Sequence, residues 1–123
     1  MKDRIKISRK EKERFLKCIS RKEPRDLFES RDRAILILFL CHDIGETEIS
    51  GLNISDCRNG TLFTRQGKEP FTAFEKQAIL SYLRLRIQHE QRHFPDKPAL
   101  FIDYSGKRLT PASIRQILKR CLR

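Results

Sequence analysis

Acidic residues are scarce in this chain. Asp and Glu together number 16 against 27 Lys and Arg, a net charge of +11 over 123 residues. So basic a balance points to a polyanionic partner, nucleic acid above all. From Tyr104 to the C-terminus there is no acid at all. Long apolar runs are missing too. The longest, Ala34 to Cys41, falls far short of the about 20 residues that span a bilayer. The N-terminal "MKDRIKISRKEKER" is charged throughout and has no apolar signal-peptide core. A cytoplasmic protein with no membrane partner is therefore expected. No C-x-x-C pair occurs among Cys18, Cys41, Cys57 and Cys121. Cys18, Cys41 and Cys121 fall in apolar patterns, where a thiol packs as a small hydrophobe. All four are expected to be reduced and structural. There is no internal repeat and no low-complexity tract, and the length suits one domain with one modest core.

What is present is strongly patterned. Ser8 with Glu11 three residues on makes a capping-box start, and Phe15, Leu16 and Ile19 form a helical stripe. Ser30 is the expected cap of a second helix, "RDRAILILFLCHDIG". Its continuous apolar run implies burial on most sides, and Gly45 is the expected stop. "ETEISGLN" reads as a short third helix, with Thr47 a candidate cap and Ile49 and Leu52 facing inward. Asn59-Gly60 is a strong hairpin signal, and Gln66-Gly67 reads as a second turn. Pro70 confines the last strand to an edge. A long helix follows, with Phe74, Ala78, Leu80, Leu83 and Ile87 as buried candidates, ended by Pro95 and Pro98. "ALFIDYSGKRL" is a short extended piece and a turn. Thr110 and Pro111 open a last helix with an apolar stripe of Ile114, Ile117, Leu118, Cys121 and Leu122. Tyr82 is expected to pack inside, Tyr104 to lie at the surface. The fold class predicted is α+β, mainly α, with helices around a small antiparallel hairpin or three-stranded sheet.

"HEQRH", residues 89–93, matches H-E-x-x-H, in which two histidines on one helix face bind zinc beside a glutamate base. After Glu90 the chain offers no further glutamate or histidine as third ligand, only Asp96 and Asp103. A solvated helix end, with His89 and His93 near the favourable C-terminal dipole, is the expected state. No metal and no cofactor are expected.

The order of signals resembles the first part of the catalytic domain of tyrosine recombinases (phage integrases). That family shows an "RDxAxLxLxLxTGxRxSELxxLxxxD" segment, to whose flanks "RDRAILILFL" and "EISGLNISD" are similar. "LFIDYSGKRLTPASIRQILKR" is similar to the stretch preceding the family's His-x-x-Arg motif. The resemblance covers nearly the whole chain and implies one partial integrase-like domain. Its parts are a first helix and linker (1–28), a buried helix pair (29–52), a small sheet (53–72), a long helix (73–94) and a basic last helix (110–123).

The family joins DNA through a tyrosine, with Arg, Lys and His neutralising the scissile phosphate. Counting back from Glu48, the first arginine's place falls on Gly45. No Lys or Arg occurs between Arg33 and Arg58, and "DIGETEISGLNISD" carries Asp43, Glu46, Glu48 and Asp56 instead. Acids there repel a phosphate. Two readings stay open: a phosphate pocket that has lost its arginine, and a helix junction whose acids suit a helix start. Lys68 is the candidate for the family's hairpin lysine, or for a non-catalytic lysine beside it. His-x-x-Arg and a tyrosine in nucleophile context are absent from this sequence. The resemblance thus implies a DNA-binding, catalytically incompetent chain. Candidate contacts to double-stranded DNA are Arg65, Lys68, Lys107, Arg108, Arg115, Lys119 and Arg123. The alternatives are an interaction module that pairs with itself or with a full-length recombinase, and a fragment of a longer enzyme.

Overall fold

A computed structural model describes residues 7–21, 23–90 and 98–122. Five helices and a three-stranded sheet follow in the order α1 (Arg9–Arg21), α2 (Leu27–His42), α3 (Glu46–Gly51), a 3-10 turn (Ile54–Asp56), β1 (Cys57–Arg58), β2 (Thr61–Thr64), β3 (Gly67–Pro70), α4 (Ala73–Glu90) and α5 (Pro111–Cys121). The architecture is the mainly helical α+β fold expected from the sequence.

The chain is organised around α2. Ala34 through Leu40 are all buried, seven consecutive positions. A helix apolar on every side must be covered on every side. The covers are α4 and α5, with α1 and α3 making smaller contacts. The helix begins a turn before the expected cap. Asp26, not Ser30, caps it, its carboxylate accepting the Glu29 amide at 2.9 Å. Ser30 is a buried residue inside the first turns. The stop also moves. Asp43 takes the left-handed conformation, φ 53°, at the C-terminus of α2, while Gly45 is the N-cap of α3. Thr47 therefore lies within α3 rather than at its cap, and Ile49 and Leu52 are buried as expected.

The sheet follows from its turns. Asn59 and Gly60 have φ of 54° and 68°, the pair of positive values that a two-residue type I′ hairpin requires. Register is Cys57 to Leu62 and Arg58 to Thr61. In the second hairpin Thr64 pairs with Gly67, so Arg65 and Gln66 form the turn. β3 with Pro70 is an edge strand. Side-chain alternation then sets Cys57, Leu62 and Glu69 on the inner face and Arg58, Phe63 and Lys68 on the outer one.

On α4 Ala78 is buried as expected and Leu83 is partly buried against the core, but two members of the expected stripe face outward. Leu80 and Ile87 are 47% and 53% exposed, whereas Ile79, Tyr82 and Arg86 are buried. Tyr82 donates its hydroxyl to the Leu100 carbonyl at 2.6 Å, and Arg86 donates to the Ala99 carbonyl at 2.9 Å. Both brace a stretch that threads the core. Ala99, Leu100, Phe101 and Ile102 are wholly buried. Their backbone is tied to the Leu52 carbonyl by the Leu100 amide (2.9 Å) and to the Leu109 amide by the Phe101 carbonyl (3.0 Å). Pro95, Arg92 and His93 lie outside the described residues, as do the side chains of His89 and Glu90. Thr110 caps α5 through the Ser113 amide at 3.1 Å, with Pro111 in the first turn. All four cysteines are free thiols. Cys18 and Cys41 are exposed rather than packed. Among the described residues no helix is long and apolar enough to cross a membrane.

A buried ionic cluster joins α2, β3 and α4. His42 bonds Glu69 through Nδ1 at 2.9 Å and Glu75 through Nε2. Glu75 also accepts the Thr72 amide at 3.1 Å. The hydrogen bond to Glu75 raises the His42 pKa, outweighing burial, and Glu69 adds to it. Burial pushes Glu75 up, but the bonds from His42 and Thr72 outweigh it and leave Glu75 below its usual value. The signs are opposite and the consequences complementary. The His42 contribution is complete below 6.5 and is lost as pH rises through the higher folded value. The Glu75 contribution is complete above 4.5 and is lost as pH falls through the lower folded value. Breaking a buried pair by removing one partner costs roughly 3–5 kcal/mol. We therefore expect Glu75→Gln to lower stability by about that amount in urea titrations at pH 6. The alkaline decline that begins above pH 6.5 should vanish in His42→Gln.

Candidate nucleic-acid interface

The start of α3, the 3-10 turn, the end of β2 and the start of α5 line an open cavity of about 930 Å³. Its rim holds Gly45, Glu46, Glu48, Asp56, Arg65 and Arg115. This is where the sequence placed the missing arginine. Gly45 has φ −86° and ψ 177°, extended backbone open to any residue. The glycine is therefore not required by the turn.

Three carboxylates face two guanidinium groups here, and the carboxylates are engaged. Glu46 Oε2 lies 3.6 Å from Arg115 Nη1, while its other oxygen is buried with no hydrogen-bond partner. Glu48 accepts the Arg65 amide at 3.3 Å. Asp56 accepts the Asn53 amide at 2.8 Å, closing the capping box of the 3-10 turn. Acids at a helix start are favoured by the dipole, which suits the helix-junction reading of the stretch. The stretch is a helix junction, and it lines the cavity with negative charge.

The expected cationic contacts divide into different settings. Lys68, Lys107 and Lys119 are exposed on β3, the 103–107 turn and α5. Arg65 is exposed at the tip of the second hairpin. Arg115 is drawn to Glu46. Arg123 lies outside the described residues. Arg108 departs from expectation. Its guanidinium turns inward, donating to the carbonyls of Ser50 (3.0 Å) and Leu52 (2.8 Å) and to Asn53 Oδ1. It thereby satisfies the open C-terminus of α3 and ties it to the chain entering α5. A phosphate role for Arg108 would require leaving those carbonyls. One cation escaped the sequence reading. Arg58 lies 4.4 Å from the Phe63 ring centroid on the sheet's outer face, the face that also carries Lys68. Strand alternation from the Asn59-Gly60 turn was the signal that could have found it.

These elements in this order make a recombinase-type fold. The crystal structure of XerA recombinase superposes with a TM-score of 0.72 at 20% identity, over 96% of this chain and 40% of that one. The sequence gives the narrower assignment. Over 99 residues it is 31% identical to tyrosine recombinase XerC of Thermodesulfovibrio yellowstonii, covering 73% of this chain and 33% of that protein. Over 97 residues it is 34% identical to tyrosine recombinase XerC of Pseudomonas aeruginosa, covering 73% and 31%. No family model matches the chain. The chain is tyrosine recombinase-like, and it spans about a third of the length of the curated relatives it matches.

Hydrogen bonds to a charged group are worth roughly 1.5–3 kcal/mol, and the carbonyls left behind lose their partner. Arg108→Met is accordingly expected to lower the unfolding free energy by about 2 kcal/mol. Its effect on any DNA affinity should disappear once the folded fraction is matched. A Gly45→Arg chain should still fold, losing no more than the roughly 0.5–2 kcal/mol that N-cap exchanges cost. Urea midpoints by circular dichroism measure both.

Proposed function

We propose that this chain binds duplex DNA as a recombinase-like module and does not itself cut or join the strands. The observation that carries the reading is the cavity at α3. Where the family resemblance calls for an arginine stands Gly45, ringed by Glu46, Glu48 and Asp56. A developing phosphorane needs positive charge placed at its oxygens; on this rim three carboxylates outnumber the guanidinium groups of Arg65 and Arg115, and Arg115 is drawn to Glu46. Binding is supported separately, by the net charge of +11 and by the exposed Arg65, Lys68, Lys107 and Lys119, with Arg58 beside Lys68. Contacts of this type fix a protein on DNA without reading sequence.

Fluorescence anisotropy of a labelled duplex tests binding. Affinity should fall about tenfold or more between low and moderate salt, as counterion release requires. Replacing Lys68 and Lys119 by Gln should flatten the logarithmic salt slope by about two, roughly one per phosphate contact. A slope equal to the parent's would remove those two residues from the interface. Incubation with a nicked duplex followed by denaturing electrophoresis tests the chemistry. No covalent protein–DNA adduct is expected, and an adduct would overturn the incompetence.

A second reading, an interaction module that pairs with itself or a full-length recombinase, rests on Leu80 and Ile87. They lie seven residues apart on α4, both about half exposed, and so share one helix face. Sedimentation equilibrium of the parent and of Leu80→Gln with Ile87→Gln decides it. A mass that rises with concentration only in the parent would favour pairing.

A further inference from the structure

The turn that leads from the buried 99–102 stretch towards α5 holds an aromatic ring in the solvent. Tyr104 is 80% exposed. The turn beneath it is tightly made. One Asp103 carboxylate oxygen accepts the amides of Ser105 (2.8 Å) and Lys107 (3.0 Å) and the Ser105 hydroxyl (2.8 Å). The Asp103 amide closes on the Lys107 carbonyl at 2.7 Å, and Gly106, φ 84°, supplies the left-handed residue. The ring itself is braced. Its centroid lies 4.3 Å from that of Phe28 on α2. The guanidinium carbon of Arg31 lies 5.9 Å from it and 5.1 Å from the Phe28 ring.

Arg31 cannot easily move. It is 5% exposed and donates to the Ile102 carbonyl (2.9 Å) and to Asp32 (2.8 Å). Asp32 in turn holds Arg120 of α5 at 2.8 Å, leaving that guanidinium 62% exposed. A large apolar ring in water is unfavourable, and an exposed tyrosine needs no such bracing merely to be soluble. Here a core arginine and a second ring hold it ready; exposed Lys107 closes the same turn, and Arg120 is linked to it through the Asp32 that pairs with Arg31. Two acids, Asp32 and Asp103, are near, and both are tied into hydrogen bonds. No acid follows Asp103 in the chain.

We propose that Tyr104 is a stacking platform for an unpaired nucleobase, with Lys107 and Arg120 meeting the adjoining phosphates. Every base has a π-face, so such a platform takes single strands with little sequence preference. Bases inside a duplex are stacked on each other and offer no face, so the site selects an unpaired end or gap over continuous duplex. Protein partners also use exposed tyrosine, but the surrounding cations and the acid-free C-terminal stretch favour the polyanion. The inference rests on the DNA-binding reading and adds a second, single-strand-specific site to it.

The test compares an end-labelled oligothymidylate single strand with a blunt duplex, by anisotropy, for the parent, Tyr104→Leu and Tyr104→Phe. Base–aromatic stacking is worth roughly 1–3 kcal/mol per base, so Tyr104→Leu should weaken single-strand binding about tenfold. Tyr104→Phe keeps the ring and should bind within about twofold of the parent. Duplex affinity should be unchanged in both. The chain has no Trp and two Tyr, and Tyr82 is sealed in the core. Tyrosine fluorescence of the parent should therefore be quenched by the single strand, and that quenching should be absent in Tyr104→Leu. Unchanged single-strand binding in Tyr104→Leu, or an equal loss for both DNAs, overturns the platform while the duplex reading stands. Absence of any binding at low salt removes the duplex reading itself.

Discussion

Seven consecutive side chains of α2, Ala34 through Leu40, are out of water on every side, and each Leu, Ile or Phe so buried contributes roughly 1.5–3 kcal/mol. A helix of that kind cannot lie on a surface. It needs α4 along one flank, α5 along another, and the wholly buried 99–102 stretch to complete the shell. The polar groups inside follow from the same demand. His42 at the end of α2 meets Glu69 and Glu75, and Arg31 near its start meets Asp32 and a core carbonyl. Both ends of the most apolar segment are thus fastened by ions, which gives a non-directional driving force a definite register.

The cavity at α3 is a second outcome of this arrangement. The start of α3 points where the hairpin and α5 converge, and a helix start attracts an anion. Here the anions are supplied by the chain itself, in Glu46, Glu48 and Asp56. Glu46 and Glu48 each contact a neighbouring element, while Asp56 closes its own turn, so the acids help to hold the rim together. The packing that makes the fold lies beneath this rim, so the charges on it are set independently of the core.

Local chemistry was legible in the sequence, and partnership was not. Asn59-Gly60 requires positive φ at both positions, and Thr110-Pro111 satisfies a helix start by itself, so both were found where expected. Ser30 and Asp26 are equally good caps in isolation; tertiary burial of Ser30 decided between them. On α4 Ala78 was placed inside correctly, but Leu80 and Ile87 look as apolar as Ile79, and only the position of α2 tells which side is inside. Buried Arg86 and Glu75 ran against any hydrophobicity rule. Among the basic residues, Lys68, Lys107 and Lys119 are exposed, whereas Arg108 turns inward to backbone carbonyls. Nothing local reveals that three acceptors around Ser50 to Asn53 wait for its guanidinium. The acidic stretch was legible as a departure from the family pattern, though not as a set of contacts.

The order in which the chain leaves the ribosome adds a temporal side to the burial of α2. Its covers at Leu100 to Ile102 and Ile114 to Leu118 are encoded well after Leu40, and synthesis at about 5–20 residues per second separates them by several seconds. Throughout that interval the nascent chain carries an apolar helix with two of its walls unmade, while α1, the cover already emerged, is strongly charged. Contacts so distant along the chain also fold slowly. The most protected segment of the finished protein is therefore its most vulnerable one at birth, the stretch a holdase chaperone would meet first.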